Sequence, residues 1–424
     1  MRMYLKHILY VLLDGLGDRP IDELGGKTPL EAARRPKMDA LAQAGCGGMV
    51  YTVGKGIAPE SDVAVISMLG YDPVKTYTGR GPIEAFGSDM PMENGDLAVR
   101  CNFATIDDDF TIIDRRCGRS LKTEEAQELA DSINKEVRLS SHPAEFEFKS
   151  TIGHRGVLLV KGKGGKLSGN ITNTDPAYQK SEGLGIALKS FENKVKACEP
   201  LDSSPESKRA ADLLQEFTIK SNLVLKDHPL NRRRVAEGKP PANGILSRDA
   251  GSALPNFRNI NEVFGFEFAS MVEMPVERGI ALLCGMDVVQ LPPATGDLKR
   301  DYSSKAEMAS DLVETYGGVY VHLKGPDEPA HDGDFRAKVK SIEMIDEHFF
   351  SNLKVDLKNT IVVVTADHST PCSLKSHSDD PVPIIAAGLN IKSDGLLNFS
   401  ETECRKGSLG VINGQEVLKK VLSL

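Results

Sequence analysis

The sequence predicts an α/β protein. A mostly parallel sheet flanked by helices is built from both ends of the chain, with a smaller α+β domain inserted in the middle. Three observations lead there. HILYVLL at 7–13, VYVHL within 318–324 and IVVVTA within 359–368 are continuous apolar runs, the pattern of strands buried on both faces. Amphipathic helical stretches such as SKAEMASDLVETY and FRAKVKSIEMIDEHFFSNL separate the later runs. Between them the texture shifts to hairpin-like alternation. The expected bounds are 1–88 with 238–424 for the outer domain and 89–237 for the insertion, a division that 424 residues accommodate.

The elements follow in order. HILYVLL reads as the first strand, stopped by Asp14-Gly15. A secretory signal is set aside, because the run is short, ends in Asp and lacks a small-residue cleavage site. Thr28 caps a helix expected to reach about Ala44, with Pro29 at its first position and Glu31 completing a capping box. CGGMVYTVG is a second strand, and PESDVAVISMLGYDP opens a short helix near Ser61. GDLAVRCNFATIDDDFTIIDRRCGR reads as a hairpin turning at Asp107–Asp109. TEEAQELADSINKEV is a helix, FEFKSTIGHRGVLLVKGKGGKLSG holds two strands, and 182–197 and 205–226 read as helical. GIALLCGMDVV, GVYVHLKG and NTIVVVTADH are expected strands of the outer domain.

Composition narrows the function. The net charge of −8, from 52 basic and 60 acidic residues, argues against general affinity for nucleic acid or an anionic membrane. No apolar stretch reaches the length of a membrane span. The seven cysteines are scattered without C-x-x-C, which fits reduced thiols in the cytosol. Cys372, between His368 and His377, reads as a buried thiol beside oxygen and nitrogen ligands.

Two late blocks carry the chemistry. GPDEPAHDGD holds Asp327 and His331; VVVTADHSTPCSLKSHSDD holds Asp367, His368 and His377. Carboxylate and imidazole form the ligand set of Mn, Zn, Co or Mg. Asp14, Asp327 and Asp367 each follow a strand-like run, and open parallel sheets collect ligands beyond their carboxyl ends. The Asp327–His331 spacing has helical form, but Pro326 and Pro329 favour a loop. Each residue also has a plainer role: Asp14 in a turn, Asp367-His368 as a cap and a surface histidine, His377 in a polar loop, Ser61 as an N-cap. Their joint occurrence is what points to a metal site.

LLDGLGDRP, SDVAVISMLGYDP, GRGPIEAFG, RCNFAT, DRRCGR, GHRGVLLV, PANGIL, VHLKGPDEPAHDGD and TADHSTPCSLKSHSDDPVP occur in this order, from about residue 7 to 387. This set resembles the archaeal-type cofactor-independent phosphoglycerate mutases of the alkaline phosphatase superfamily. The resemblance implies an alkaline-phosphatase-like fold and two divalent metals, Mn first, with Mg, Co or Zn as alternatives. Asp327, His331 and His377 would hold one; Asp14, Ser61, Asp367 and His368 the other. PESD, LSRDAG and PPATG depart from the family's usual Gly-Ser-Asp, LLRGAG-like and GATG-like runs, which bears on substrate positioning.

The implied activity interconverts 3- and 2-phosphoglycerate without 2,3-bisphosphoglycerate, through phospho-Ser61. The inserted domain would act as a lid that excludes water. Its candidate substrate clamp is Arg115, Arg116 and Arg119, with Arg100, Asn102, His154 and Arg155 nearby in sequence; Arg248 and Lys324 are further candidates. If DRRC continues a strand, Arg115 and Arg116 face opposite sides. KGKGGK at 161–166 fits a hairpin turn rather than a phosphate loop, NRRRVAEGK at 231–239 a solvated helix end, and GLGIAL at 183–188 is a weak glycine match. The expected protein is a cytoplasmic enzyme with a small-molecule substrate, no nucleic-acid or membrane partner, and a homo-oligomer as a compatible assembly. The alternatives are a metal-dependent phosphohydrolase or another phosphotransferase of the same superfamily, and a non-catalytic metal- and anion-binding protein.

Overall fold

The computed structural model describes residues 7–181, 184–188, 190–292 and 294–424. Its strands, in chain order, are β1 (His7–Leu13), β2 (Cys46–Tyr51), β3 (Leu97–Ile106), β4 (Ile112–Asp114), β5 (Ala144–Ser150), β6 (Arg155–Gly162), β7 (Tyr178–Ser181), β8 (Leu184–Ala187) and β9 (Gly244–Gly251). They continue with β10 (Phe268–Val272), β11 (Asp287–Gln290), β12 (Gly318–Leu323), β13 (Thr360–Ala366), β14 (Val382–Gly388) and β15 (Gly410–Asn413).

Two compact units result. The first comprises Met1–Thr76, Phe257–Glu273 and Ala281–Leu424; the second comprises Tyr77–Asn256 and Met274–Ile280. These bounds differ from the expected 1–88, 89–237 and 238–424. Residues of 77–88 lie in the second unit because the helix Arg80–Gly87 packs on β3. Residues of 238–256 join them because β9 pairs antiparallel with β3.

In the first unit an eight-stranded sheet runs β11-β10-β12-β1-β13-β14-β2-β15. It is parallel except at β14, which lies antiparallel to both β13 and β2. β1 sits between β12 and β13, and Ile8 through Leu13 are fully buried. Burial on both faces explains why these strands read as unbroken apolar runs. Register then places the chemistry. Leu13 lies beside both Leu323 and Ala366, so the chain leaves all three strands at one level.

Several expected elements came out differently. The helix foreseen from Thr28 to Ala44 is two, Pro29–Ala32 and Pro36–Ala44, because Pro36 cannot donate within a continuing helix. Thr28 does form the capping box with Glu31. GIALL ends the helix Pro275–Leu283, and the strand begins afterwards, at Asp287. Short apolar runs do not distinguish a buried helix from a strand. For the same reason FASMV, which forms β10, carries no distinct strand signal in the sequence. Leu184–Ala187 form β8 where a helix over 182–197 was expected; residues 182, 183 and 189 lie outside the described residues. Asp327–Asp332 is a short helix, since Pro326 precedes it and Pro329 falls in its first turn, where no intrahelical donor is lost. No helix among the described residues is long and apolar enough to cross a membrane.

In the second unit β3 is the centre of a five-stranded sheet, pairing with β4, β6 and β9, while β5 pairs with β6. Leu97, Val99, Cys101 and Phe103 share one face with the core that contains Leu129, Ile133 and Phe217 of the helices Thr123–Glu136 and Pro205–Lys226. The alternate residues Arg100 and Asn102 therefore take the opposite face. KGKGGK begins in β6 with Lys161 and Gly162 and continues as a bend, with no helix following it directly. NRRRVAEGK is only partly a solvated helix end. Arg234 is fully buried and bonds Glu125, the Ser120 hydroxyl and the Pro240 carbonyl.

Candidate active site

The site in the first unit is assembled where β1, β12 and β13 end. Gly15 (φ +63°) makes the assembly sterically possible, because a Cβ there would sit 2.6 Å from Asp327 Oδ1. Its amide donates to Asp367 Oδ1 at 3.0 Å. Asp14 and Asp367 directly follow their strands, and Asp327 follows β12 after Lys324-Gly325-Pro326.

Two histidines supply the decisive geometry. His331 Nδ1 lies 3.0 Å from the Lys375 carbonyl, and His377 Nδ1 lies 2.7 Å from that of Pro59. A carbonyl can only accept, so both Nδ1 atoms carry protons and each ring, when neutral, turns an Nε2 lone pair inward. These Nε2 atoms are 3.2 Å apart. Asp327 completes the group, its oxygens 3.3 Å from His331 Nε2 and 3.7 Å from His377 Nε2. Lone pairs this close need a proton or a cation between them.

The second group shares the same floor. The candidate ligand atoms of Asp14, Asp367 and His368 lie within 4.8 Å of one another, as do those of Asp327, His368 and His377. His368 Nε2 is 3.2 Å from Asp367 Oδ2 and 3.5 Å from Asp14 Oδ1. Asp14 Oδ1 and Asp367 Oδ2 are buried without a hydrogen-bond partner among the described residues. Buried carboxylate oxygens rarely stay unsatisfied, so the donor set fits cations. Lys324 Nζ, 3.1 Å from Asp14 Oδ2, offsets part of the negative charge.

The electrostatic environment of each group reflects the same crowding. Burial, opposed by Lys324 and reinforced by Asp367 and Asp327, pushes Asp14 up to about 6. Burial alone would depress His368, but Asp367, Asp327 and Asp14 raise it to about 9. Burial would raise Asp327, yet His331, His368 and His377 hold it well below the usual carboxylate range.

Ser61 opens the helix Ser61–Met68 at its first helical position, one residue beyond the N-cap, Glu60. Its hydroxyl thus has no capping role and lies 3.0 Å from His368 Nε2. The first-turn amides of such a helix lack intrahelical acceptors and favour an anion.

The second unit carries a separate cationic cluster. Register sets Arg100 opposite Arg248 and Asn102 opposite Arg155 on one sheet face. Burial, then Arg155, Arg116, Arg100 and Arg119, depress His154 to about 3, so its ring is neutral at working pH. The strand β4 ends at Asp114, so Arg115 and Arg116 lie in the following turn rather than on opposite strand faces. Arg115 is committed to Asp175, with contacts of 3.1 and 2.6 Å. Arg248 pairs with Asp175 and Asp249, each at 3.4 Å, and its guanidinium lies 3.8 Å from the Tyr178 ring centre. Asn102 is buried, and Arg119 is exposed. Lys324 stands at the carboxylates of the first unit. Arg80, which pairs with Glu84 at 2.6 Å, was missed within GRGPIEA, where it adds positive charge beside Arg100 and Arg155.

Comparison with known proteins now places the chain. It is 44% identical, over 98% of its length and 99% of the relative's, to a protein named 2,3-bisphosphoglycerate-independent phosphoglycerate mutase from Aeropyrum pernix. The chain belongs to the 2,3-bisphosphoglycerate-independent phosphoglycerate mutases. The sequence pattern of that mutase family matches residues 42–231. A second mutase of that name, from Methanosphaera stadtmanae, is 42% identical over 98% of this chain and 96% of its own. The solved cofactor-independent phosphoglycerate mutase of Thermoplasma acidophilum is 33% identical, covers 99% of each chain and gives a TM-score of 0.63. A solved Pyrococcus horikoshii protein is 34% identical over 99% of this chain and 97% of its own, with a TM-score of 0.78. Membership implies divalent-metal use, and candidate metal-binding carboxylates and histidines gather beyond the ends of β1, β12 and β13.

Proposed function

We propose that the protein interconverts 3-phosphoglycerate and 2-phosphoglycerate by phosphoryl transfer through Ser61, as a cytoplasmic enzyme of glycolysis and gluconeogenesis. The observation that carries this reading is the Ser61 hydroxyl, 3.0 Å from His368 and held outside any capping bond at the edge of a carboxylate–imidazole cluster. Asp327, His331 and His377 are the proposed ligands of one ion, and Asp14, Ser61, Asp367 and His368 of the other. Mn²⁺ suits this mixed oxygen and nitrogen set. The ions would supply positive charge that acidifies the Ser61 hydroxyl and neutralises the phosphoryl oxygens.

Ser61 Oγ attacks phosphorus, and the bond to the 3-oxygen of glycerate breaks. The glycerate 2-hydroxyl then attacks phospho-Ser61, and Ser61 Oγ leaves. No water is consumed and no bisphosphoglycerate is required. Lys324 places an ammonium beside Asp14, where a phosphoryl oxygen would gain from it. Arg116, Arg119, Asn102, His154 and Arg155 provide the anion recognition in this reading; Arg115 and Arg248 support it through Asp175.

The test is direct. Protein stripped with a chelator should be inactive. Added Mn²⁺ should restore 2-phosphoglycerate formation without any 2,3-bisphosphoglycerate. Release of inorganic phosphate as the main product would replace the mutase with a phosphohydrolase.

Metal affinity should also depend on pH. His368 titrates at about 9 without metal, so below that pH a cation must displace its proton. Mn²⁺ affinity is therefore expected to rise with pH, by about tenfold per unit for each proton displaced. The rise should be steeper below about 6, where Asp14 is protonated too. Mn²⁺ titrations at several pH values measure this, and a flat affinity from about pH 6 to 9 counts against His368 as a ligand.

A further inference from the structure

Thr370 stands between the two proposed ligand sets without belonging to either. Its hydroxyl donates to Asp327 Oδ1 at 2.7 Å. His368 Nδ1 lies 3.0 Å from the same oxygen. A threonine hydroxyl has one proton, and it is already given to Asp327, so Oγ1 must accept from His368 Nδ1–H. That places a proton on Nδ1, so the neutral His368 ring turns its Nε2 lone pair toward Asp14, Asp367 and Ser61.

The position of this hydroxyl is itself determined. Thr370 is fully buried. Its amide donates to the Gly17 carbonyl at 3.0 Å, and its carbonyl accepts from Lys338 Nζ at 2.9 Å. Gly17 lies in the loop that carries Asp14 away from β1. The oxygen is thus held by the same loops that present the ligands, and it can reorient little.

We infer that Thr370 is a positioning residue that couples the two ion sites, orienting Asp327 in one and setting the tautomer of His368 in the other. This rests on the two-ion reading above. A hydroxyl serving one set would affect one ion; a hydroxyl shared between sets affects both. Partners behind metal ligands commonly change affinity by about 10–100-fold when removed.

The test uses Mn²⁺ alone, titrated calorimetrically into metal-free protein. The unsubstituted chain should bind two ions. Thr370→Val keeps the shape and removes the hydroxyl, and should weaken both ions by about tenfold or more. Thr370→Ser keeps the hydroxyl, and should stay within about threefold of the unsubstituted chain, allowing for the methyl group lost. Two-ion binding unchanged in Thr370→Val overturns the inference, as does a Thr370→Ser protein as weak as Thr370→Val. Fewer than two ions in the unsubstituted chain overturns the two-ion reading and this inference with it. Nitrogen–proton correlation spectra of the histidine rings in the unsubstituted protein give a reading independent of how well Thr370→Val folds. They should show a proton on His368 Nδ1 in both its charged and its neutral forms; a neutral ring that carries its proton at Nε2 overturns the assignment.

Discussion

Ser61→Ala is expected to abolish phosphoryl transfer, lowering kcat by about 10⁴-fold or more, as removal of a covalent nucleophile does elsewhere. The fold should survive the change. Ser61 is at the first helical position, not the N-cap, and its hydroxyl contacts His368 rather than a backbone amide. No cap is lost, and alanine is well tolerated in a helix. The melting temperature should move little, and metal should remain bound through Asp14, Asp367 and His368. Acid quenching during turnover with substrate and Mn²⁺ should trap phosphoserine in the unsubstituted protein and none in the alanine variant. Turnover unchanged in Ser61→Ala would remove Ser61 as the nucleophile, whatever the metals do.

The largest stability effect is expected at a residue that touches neither ligand nor serine. Lys338, on the helix Phe335–Ile345, is fully buried. Its ammonium donates to the Gly17 carbonyl at 3.0 Å, to Asp18 Oδ2 at 2.9 Å and to the Thr370 carbonyl at 2.9 Å. All three ammonium protons are therefore used. Asp18 in turn accepts from the amides of Arg19 and Cys372. The loop after β1 and the loop after β13 are thus fastened to one helix at a single nitrogen.

Lys338→Met removes the cation and leaves the Asp18 carboxylate buried beside apolar groups. Breaking one side of a buried ion pair costs about 3–5 kcal/mol. At roughly 2–4 °C per kcal/mol for a unit of this size, melting should fall by about 10 °C. Adding Asp18→Asn removes the stranded charge and should recover part of the loss, because removing both charges is far gentler than removing one. Thermal denaturation of the two variants decides the matter. A Lys338→Met protein melting within about 2 °C of the unsubstituted chain would mean the pair contributes little. Mn²⁺ affinity should weaken in the same variant, since both ligand-bearing loops lose their common anchor.

These two residues mark the boundary of what could be read in advance. Asp14 and Asp367 are candidates because a local pattern carries them, an apolar run ending in aspartate, whereas a serine opening a helix reads first as an N-cap and only the family resemblance singles out Ser61. Asp327 and His331 were recognised as a pair, but their helix was read as a loop. Proline forbids a helix interior and not a first turn, and the helix boundary was misplaced by that one distinction. GIALL and FASMV were misread or missed because short apolar segments satisfy either periodicity. Among the arginines, the sequence offered a cluster without a division of labour. Asp175, sixty residues beyond Arg115, is what takes Arg115 and Arg248 out of the pool facing His154.

The chain's local patterns suffice for the three ligand-bearing strands, the order of their ends and the type of ligand each end carries, because these depend on neighbours in sequence and on burial. The coupling belongs to tertiary structure. That His331 and His377 point their Nε2 atoms at each other follows from carbonyls at Lys375 and Pro59. That Thr370 joins His368 to Asp327, and that Lys338 joins Gly17, Asp18 and Thr370, follows from loops meeting across the sheet. A hydrogen bond depends on separations of a few tenths of an ångström between residues hundreds of positions apart. No periodicity in the sequence encodes such a distance. Two late blocks of aspartate and histidine therefore announced a metal centre, while the folded chain decided which proton sits on which nitrogen within it.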